Sequence, residues 1–187
     1  MKRIGNLKEK ICTLDNIYIA DENARLNKTK KYGIYKHDKN KDEENNKLLQ
    51  DFVNLSYKTS KYSTFKIYEP KERIIYRLPY YPDRIAHHAI MNIMESIWRK
   101  VFIKNTYSSI RGRGIHKCVK DLYKDLHDNV EETQYCLKLD IRKFYPSIDH
   151  EILYSIIQKK IKDKWLLTLL KEIIYSAEGV PIGNYLS

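Results

Sequence analysis

The sequence predicts an α+β fold, and three patterns carry that prediction. Apolar residues recur at helical spacing through most of the chain, an alternating pair of segments around residues 65–78 reads as a hairpin, and Tyr135–Asp140 alternates as a further strand. With 187 residues, the chain amounts to one domain or one domain with a small appendage. Apolar residues make up 42%, which excludes a chain that is disordered throughout. No apolar run approaches the ~18 residues of a membrane helix, so no membrane role is expected. Cys12, Cys118 and Cys136 are odd in number and far apart, which suits neither a disulfide framework nor a zinc knuckle. A soluble cytoplasmic protein is expected. Thirty-five Lys and Arg against 24 Asp and Glu leave a net charge of +11. A surface of that sign gathers polyanions, nucleic acid first among them.

The elements follow in order. The first ~50 residues read as polar helices, with Leu7, Ile11 and Leu14 at helical spacing. Residues 38–47 are charged and read as a solvated loop or helix start, after which Leu48, Leu49, Phe52 and Val53 supply one apolar face. In the hairpin, Phe65 and Ile67 alternate with Lys66 and Tyr68. Glu69-Pro70-Lys71-Glu72 suits a type I turn, and Ile74, Tyr76 and Leu78 are expected to point inward. A helix then begins near Asp83, whose charge suits a helix start, with the stripe Ile85, Ala89, Ile93, Ile97 and Val101. The Arg111-Gly112-Arg113-Gly114 loop precedes another helix with the stripe Ile115, Val119, Leu122 and Leu126. From Trp98 to Lys124 there are eight Lys or Arg and one acid, while Asp125–Glu132 holds four acids and no base. One exposed helix could carry most of those cations without any ligand. In the strand at 135–140, Tyr135, Leu137 and Leu139 form the expected buried face, leaving Asp140 opposite, at the strand's end. Helices follow from a cap at Ser147 or Asp149 and from about Lys164 to Ser176.

A carboxylate at a strand end followed by paired aromatics suits phosphoryl chemistry on a nucleotide. Asp140 is a candidate ligand for a hard divalent cation, and the Ile141 carbonyl could complete the coordination. Two metals ~3.5–4 Å apart can stabilise an in-line displacement, but a single Asp cannot hold both, so further acids are required. The plainer alternative is that Asp140 merely caps a turn or pairs with a cation.

Leu139-Asp140-Ile141-Arg142-Lys143-Phe144-Tyr145-Pro146-Ser147-Ile148-Asp149 resembles the first catalytic motif of bacterial reverse transcriptases. Gly179-Val180-Pro181-Ile182-Gly183-Asn184-Tyr185-Leu186-Ser187 resembles their next motif, a Gly-Pro-Gly loop that lies against the nascent base pair. Tyr80-Tyr81-Pro82-Asp83-Arg84-Ile85 and Tyr107–Gly114 are similar to the fingers motifs of that family. The four occur in the family's order and span residues 58–187. The resemblance implies fingers and an incomplete palm behind a helical amino-terminal extension, a right-hand polymerase architecture that stops before the final catalytic motif. The implied segments are a helical extension at 1–55, fingers and fingers/palm helices at 56–133, and an incomplete palm at 134–187.

The implied activity is RNA-directed DNA synthesis in a longer protein, with two Mg2+ ions, dNTPs, an RNA template and a DNA or RNA primer. An accessory protein delivering the RNA is left open. By resemblance, Asp140 and the Ile141 carbonyl are metal ligands. Tyr145 is the aromatic gate that excludes a ribose hydroxyl, with Phe144 beside it; Tyr145 read alone is equally a core aromatic. Lys66 and Arg73 reach the incoming triphosphate, with Lys71 as the alternative, and a bare hairpin edge is the reading without a ligand. Pro181, Ile182 and Gly183 meet the nucleotide, while Arg111, Arg113 and His116 touch the template or primer backbone. His116 would otherwise be a surface residue at a helix start. Many reverse transcriptases carry Gln at the position of Ile182; the Ile-Gly pair is similar to the enzymes of diversity-generating retroelements, which copy RNA with low fidelity. The third motif, an aromatic residue before two Asp, is absent from the 187 residues, as is the thumb. The expectation is therefore that this piece alone does not synthesise DNA efficiently. The competing expectation is a noncatalytic RNA-binding module with a polymerase-like surface.

Overall fold

The computed structural model describes residues 3–28, 31–68 and 71–187. Among them are eight α-helices and a two-stranded antiparallel sheet, so the fold is mixed α and β. The chain divides into two compact units, one of Met1–Ile93 with Lys143–Ser187, the other Met94–Arg142. This division joins the amino-terminal helices to the carboxy-terminal ones and separates Asp140 from Tyr145.

The first unit opens with α1 (Lys8–Ile11), α2 (Leu14–Arg25), α3 (Tyr32–Asp38) and α4 (Lys41–Val53). Thr13 caps α2 by accepting the Asn16 N–H, which satisfies one of the donors a helix start leaves free. Leu7, Ile11, Ile17, Leu48 and Phe52 are fully or almost fully buried, as their helical spacing requires, while Val53 lies at the exposed edge. The charged run at 38–47 enters α4 directly, and its Asn45 is buried. Asp163 ties the two ends of the unit together. Its carboxylate caps α8 (Lys164–Ile174) through Leu166 N at 3.1 Å and also accepts Leu7 N at 2.6 Å. Beside it, Ile4 pairs in parallel with Ile161 between α7 (His150–Lys160) and α8.

The hairpin forms as β1 (Ser63–Ile67) and β2 (Arg73–Arg77), with Lys66 opposite Ile74 and Ile67 opposite Arg73. Glu69 and Pro70 of the expected turn lie outside the described residues. The inward face needs correcting. Leu78 is buried, but Ile74 is 46% exposed, and Ile75 is the side chain against Gly183. A two-stranded ribbon has no second layer to enforce its apolar face, so burial follows local contacts rather than alternation. A kinked segment, Tyr80–Arg84, in which Tyr81 has extended backbone (φ −105°, ψ 136°), leads into α5 (Ile85–Trp98). Asp83 is completely buried there and accepts Tyr57 Oη at 2.8 Å and Ser60 N at 3.0 Å, so it anchors the segment before the hairpin as well as starting a helix. Ile85 and Ala89 are buried as the stripe predicts; Val101 lies beyond the helix end and is 39% exposed.

The second unit contains the end of α5 and α6 (Ile115–Asp128), with turns and irregular chain on either side of α6. Two expectations fail in it. Ile115, Val119, Leu122 and Leu126 lie along one face of α6 as expected, yet all are exposed. Residues 135–140 form no strand, and Tyr135, Leu137 and Leu139 are more than four-fifths exposed. Alternation supplies two faces but no hydrogen-bonding neighbour; β1 and β2 pair only with each other, and no described segment pairs with 135–140.

Candidate functional site

In the first unit, the Gly179–Gly183 segment is seated between two other pieces of backbone. Phe144 leads into a 3-10 turn, Tyr145–Ser147, held by Ser147 N donating to Lys143 O at 3.1 Å. Tyr145 O accepts Val180 N at 2.9 Å. Gly179 has φ +56°, and a Cβ there would stand 2.5 Å from Tyr145 O and 2.8 Å from Pro146 Cα. On the other side, Tyr76 N of β2 donates to Ile182 O at 2.8 Å. Gly183, at φ +115°, leaves space where a Cβ would meet Tyr76 O at 2.8 Å. Each glycine is thus required twice, by its left-handed backbone and by the close approach of a neighbouring strand or turn.

Further contacts fix the segment's outer end. Ser187 Oγ donates to Pro181 O at 2.6 Å, and Asn184 Nδ2 donates to Tyr62 Oη at 3.2 Å. The Tyr62 ring meets Tyr76 edge-on at 5.8 Å, and Tyr185 stacks on His88 with ring centres 3.7 Å apart. Burial pushes the His88 imidazole down to about 4, so that ring is neutral where it meets Tyr185. Pro181 is buried and Ile182 half-buried, whereas Phe144 and Tyr145 keep 47% and 36% of their surface and sit 5.4 Å ring to ring. Partly exposed aromatics beside a rigid backbone cradle can stack a base or sugar.

Gly179→Ala is expected to destabilise this unit by about 2–3 kcal/mol, the left-handed backbone and the backbone clash acting together. A urea midpoint unchanged from wild type would show that the loop does not occupy this seat.

Of the residues singled out in the sequence, the structure brings Tyr145, Pro181, Ile182 and Gly183 together, with β2 alongside. Lys66 forms an ion pair with Glu72 at 2.6 Å, both side chains about half exposed, so the contact is weak and exchangeable. Lys71 and Arg73 are exposed on the hairpin. The remaining candidates belong to the second unit. Arg111 and His116 are exposed. Arg113 instead turns its guanidinium onto the carbonyls of Ile103 (3.3 Å) and Lys104 (3.5 Å), which gives it a loop-holding role.

Asp140 and Ile141 are exposed and lie outside any helix or strand. Among the described residues the Asp140 carboxylate takes no hydrogen bond and no ion pair, so its lone pairs are open to a cation. Carboxylate and carbonyl oxygen are the donors a hard ion such as Mg2+ prefers, so the residues fit that group. Among the described residues, no three His, Cys, Asp or Glu side chains gather as a metal site. The described residues thus complete no metal site around Asp140.

Nothing in the sequence marks His150, Tyr62, Asn184 or Tyr185 as loop holders. Their partners lie far off in the chain, as with His150 Nε2, 2.7 Å from Gly179 O. The only local sign was the position of His150 directly after the Asp149 cap of α7.

No family model matches the chain. Protein YkfC of Escherichia coli K12 is 26% identical over 137 residues, covering 65% of this chain and 36% of its own length. An uncharacterized mitochondrial protein, ymf11, of Marchantia polymorpha is 26% identical over 109 residues, 56% of this chain and 14% of its own. An uncharacterized 91 kDa protein in the cob intron of Schizosaccharomyces pombe is 21% identical over 116 residues, again 56% and 14%. The chain is distantly similar to these proteins and spans well under half the length of each. Among the described residues no helix is long and apolar enough to cross a membrane.

Proposed function

We propose that this chain is the fingers and part of the palm of an RNA-directed DNA polymerase. The observation that carries the reading is the seat of the Gly179–Gly183 loop between the Tyr145 turn and β2. That arrangement presents a half-buried Ile182 and a partly exposed Tyr145 from one rigid frame, as a surface that tests a base pair and a sugar must. A distant relative carried in an intron supports the reading, because a protein borne by an intron has that intron's RNA at hand as a template.

In the proposed reaction a primer 3′-hydroxyl attacks the α-phosphorus of a dNTP and pyrophosphate leaves. Mg2+ held at Asp140 and the Ile141 carbonyl would neutralise charge developing on the phosphate oxygens. Tyr145 packs beneath the sugar and leaves no space for a 2′-hydroxyl. Lys66, Arg73 and Lys71 on the hairpin attract the triphosphate. Lys66 exchanges its surface partner Glu72 for phosphate at little cost. His116 and Arg111, with the other Lys and Arg side chains between residues 98 and 124 apart from Arg113, hold the nucleic-acid backbone.

The test is templated incorporation by the full-length protein, on RNA, with Mg2+. Tyr145→Val is expected to lower the preference for dNTP over rNTP by roughly tenfold or more, the scale on which a pocket rejects one added group. A variant that still rejects ribonucleotides as wild type does would remove Tyr145 from that role. The eight-to-one excess of cations at 98–124 favours a second reading, a noncatalytic RNA-binding module. Salt-dependent RNA binding without any incorporation by the full-length protein would decide for it.

A further inference from the structure

We infer that His150 is a positioning residue: it clamps the Gly179–Val180 peptide and so sets the presentation of Ile182 and Gly183. The peptide is held from both sides. Its carbonyl accepts from His150 Nε2 at 2.7 Å, and its N–H donates to Tyr145 O at 2.9 Å. A carbonyl oxygen only accepts, so Nε2 carries the proton, in the neutral ring or the imidazolium alike. Gly179, with φ +56° and no side chain, cannot by itself stop this peptide from rotating. The two hydrogen bonds do so.

The imidazole is itself fixed. Asp149 caps α7 through Ile152 N at 2.9 Å, which places His150 in the first turn. The ring of Tyr175, directly after α8, lies 5.0 Å from the imidazole, and its hydroxyl donates to Glu151, the residue after His150. That bond pushes the Tyr175 phenol up to about 12, so it stays a donor across the working range. A connected set therefore runs from Glu151 through Tyr175 and His150 to Gly179, and across the peptide to Tyr145. The loop carrying Ile182 is thus registered against the turn carrying Tyr145 by the Val180 N–Tyr145 O bond and, from the other side of the same peptide, by this side chain on α7.

The inference deepens the polymerase reading and rests on it for the claim that the loop meets a nucleotide. Three variants of the full-length protein separate the causes. His150→Phe keeps a ring against Tyr175 but loses the donor, His150→Gln keeps an N–H donor, and His150→Ala loses both. Amide hydrogen exchange at residues 179–183 reads the clamp without any activity. It should quicken roughly five- to tenfold in the Ala and Phe variants, the scale of one neutral hydrogen bond, and stay within about twofold of wild type in Gln. In templated incorporation, KM for dNTP should rise by a similar factor in Ala and Phe, with kcat within about twofold of wild type and Gln restoring KM.

Unchanged exchange in the Ala variant would overturn the clamp, as would a Phe variant that behaves like wild type. Quickened exchange with an unchanged KM would overturn the claim that the clamped loop meets the nucleotide. A wild-type protein that incorporates nothing would sink the polymerase reading instead, and the exchange result alone would then decide the clamp.

Discussion

Asp140→Ala in the full-length protein is expected to lower templated dNTP incorporation by roughly a thousandfold or more while leaving RNA affinity at or above the wild-type level. The size follows from the role. A metal ligand in phosphoryl transfer supports several kcal/mol of charge stabilisation in the transition state, and about 1.4 kcal/mol is a factor of ten in rate. RNA binding is spared because it depends on cations neutralising phosphates, and removing a carboxylate adds no repulsion. Folding should be spared too, since Asp140 is exposed and takes no hydrogen bond or ion pair among the described residues. Asp140→Asn, which keeps the shape but loses the charge, should fall nearly as far as Ala. Incorporation at the normal rate by either variant would remove Asp140 from the chemistry.

What the sequence made legible was local. Helix starts depend on a side chain and an amide three residues on, so the cap of α7 could be narrowed to Ser147 or Asp149, and it is Asp149. The hairpin needed only two alternating segments with a short connection, and β1 and β2 formed where the alternation lay. The strand at 135–140 was misread because a strand depends on a partner as well as on its own alternation. The same logic explains the face of β2. Which of Ile74 and Ile75 turns inward depends on Gly183, more than 100 positions away, coming within van der Waals distance of Ile75. Likewise, nothing local to His150 reveals a carbonyl 29 residues later.

Charge was the most misleading signal at the amino terminus. The run at 38–47 reads as a solvated loop or helix start, yet α2, α3, α4 and the turn at Tyr80 converge on a buried carboxylate. Asp21, with no exposed surface, accepts both terminal contacts of Arg25 at 2.7 Å and lies 3.2 Å from Lys41 Nζ. It also accepts the Tyr80 hydroxyl, and His37 Nε2 stands 3.7 Å away, an ion-pair distance rather than a hydrogen bond. The other imidazole nitrogen of His37 meets Glu44 at 2.5 Å, and the ring stacks on Tyr81 at 5.4 Å. An i, i+4 Asp-Arg pair on one helix is usually a surface feature. Here three other elements close over it.

Asp21→Ala is therefore expected to cost about 3 kcal/mol, because it removes the buried counter-charge shared by Arg25, Lys41 and His37, although Arg25 keeps Asp38 and His37 keeps Glu44. Asp21→Asn should lose somewhat less, since the amide oxygen still accepts from Tyr80 and Arg25. The wild-type protein should also be less stable at both ends of the pH range, for two separate reasons. Burial pushes the Asp21 carboxyl up, but its contacts with His37, Arg25 and Tyr80 outweigh that and hold it well below the usual carboxylate range. Its contribution is therefore present above about pH 4 and fades as acid protonates it. Burial lowers the His37 imidazole, yet Asp21 and Glu44 outweigh burial and raise it. A raised imidazole contributes fully below about pH 6.5 and loses that contribution as pH climbs through its folded value. Urea midpoints measured from pH 3 to 9 should therefore peak on the acid side of neutrality. His37→Gln should flatten the alkaline limb and also weaken the acid one, because Asp21 loses one of the contacts that hold its carboxyl low. A wild-type midpoint that stays level between pH 6 and 9 would mean that His37 sits neutral among its carboxylates, and the ionic account of this cluster would fail.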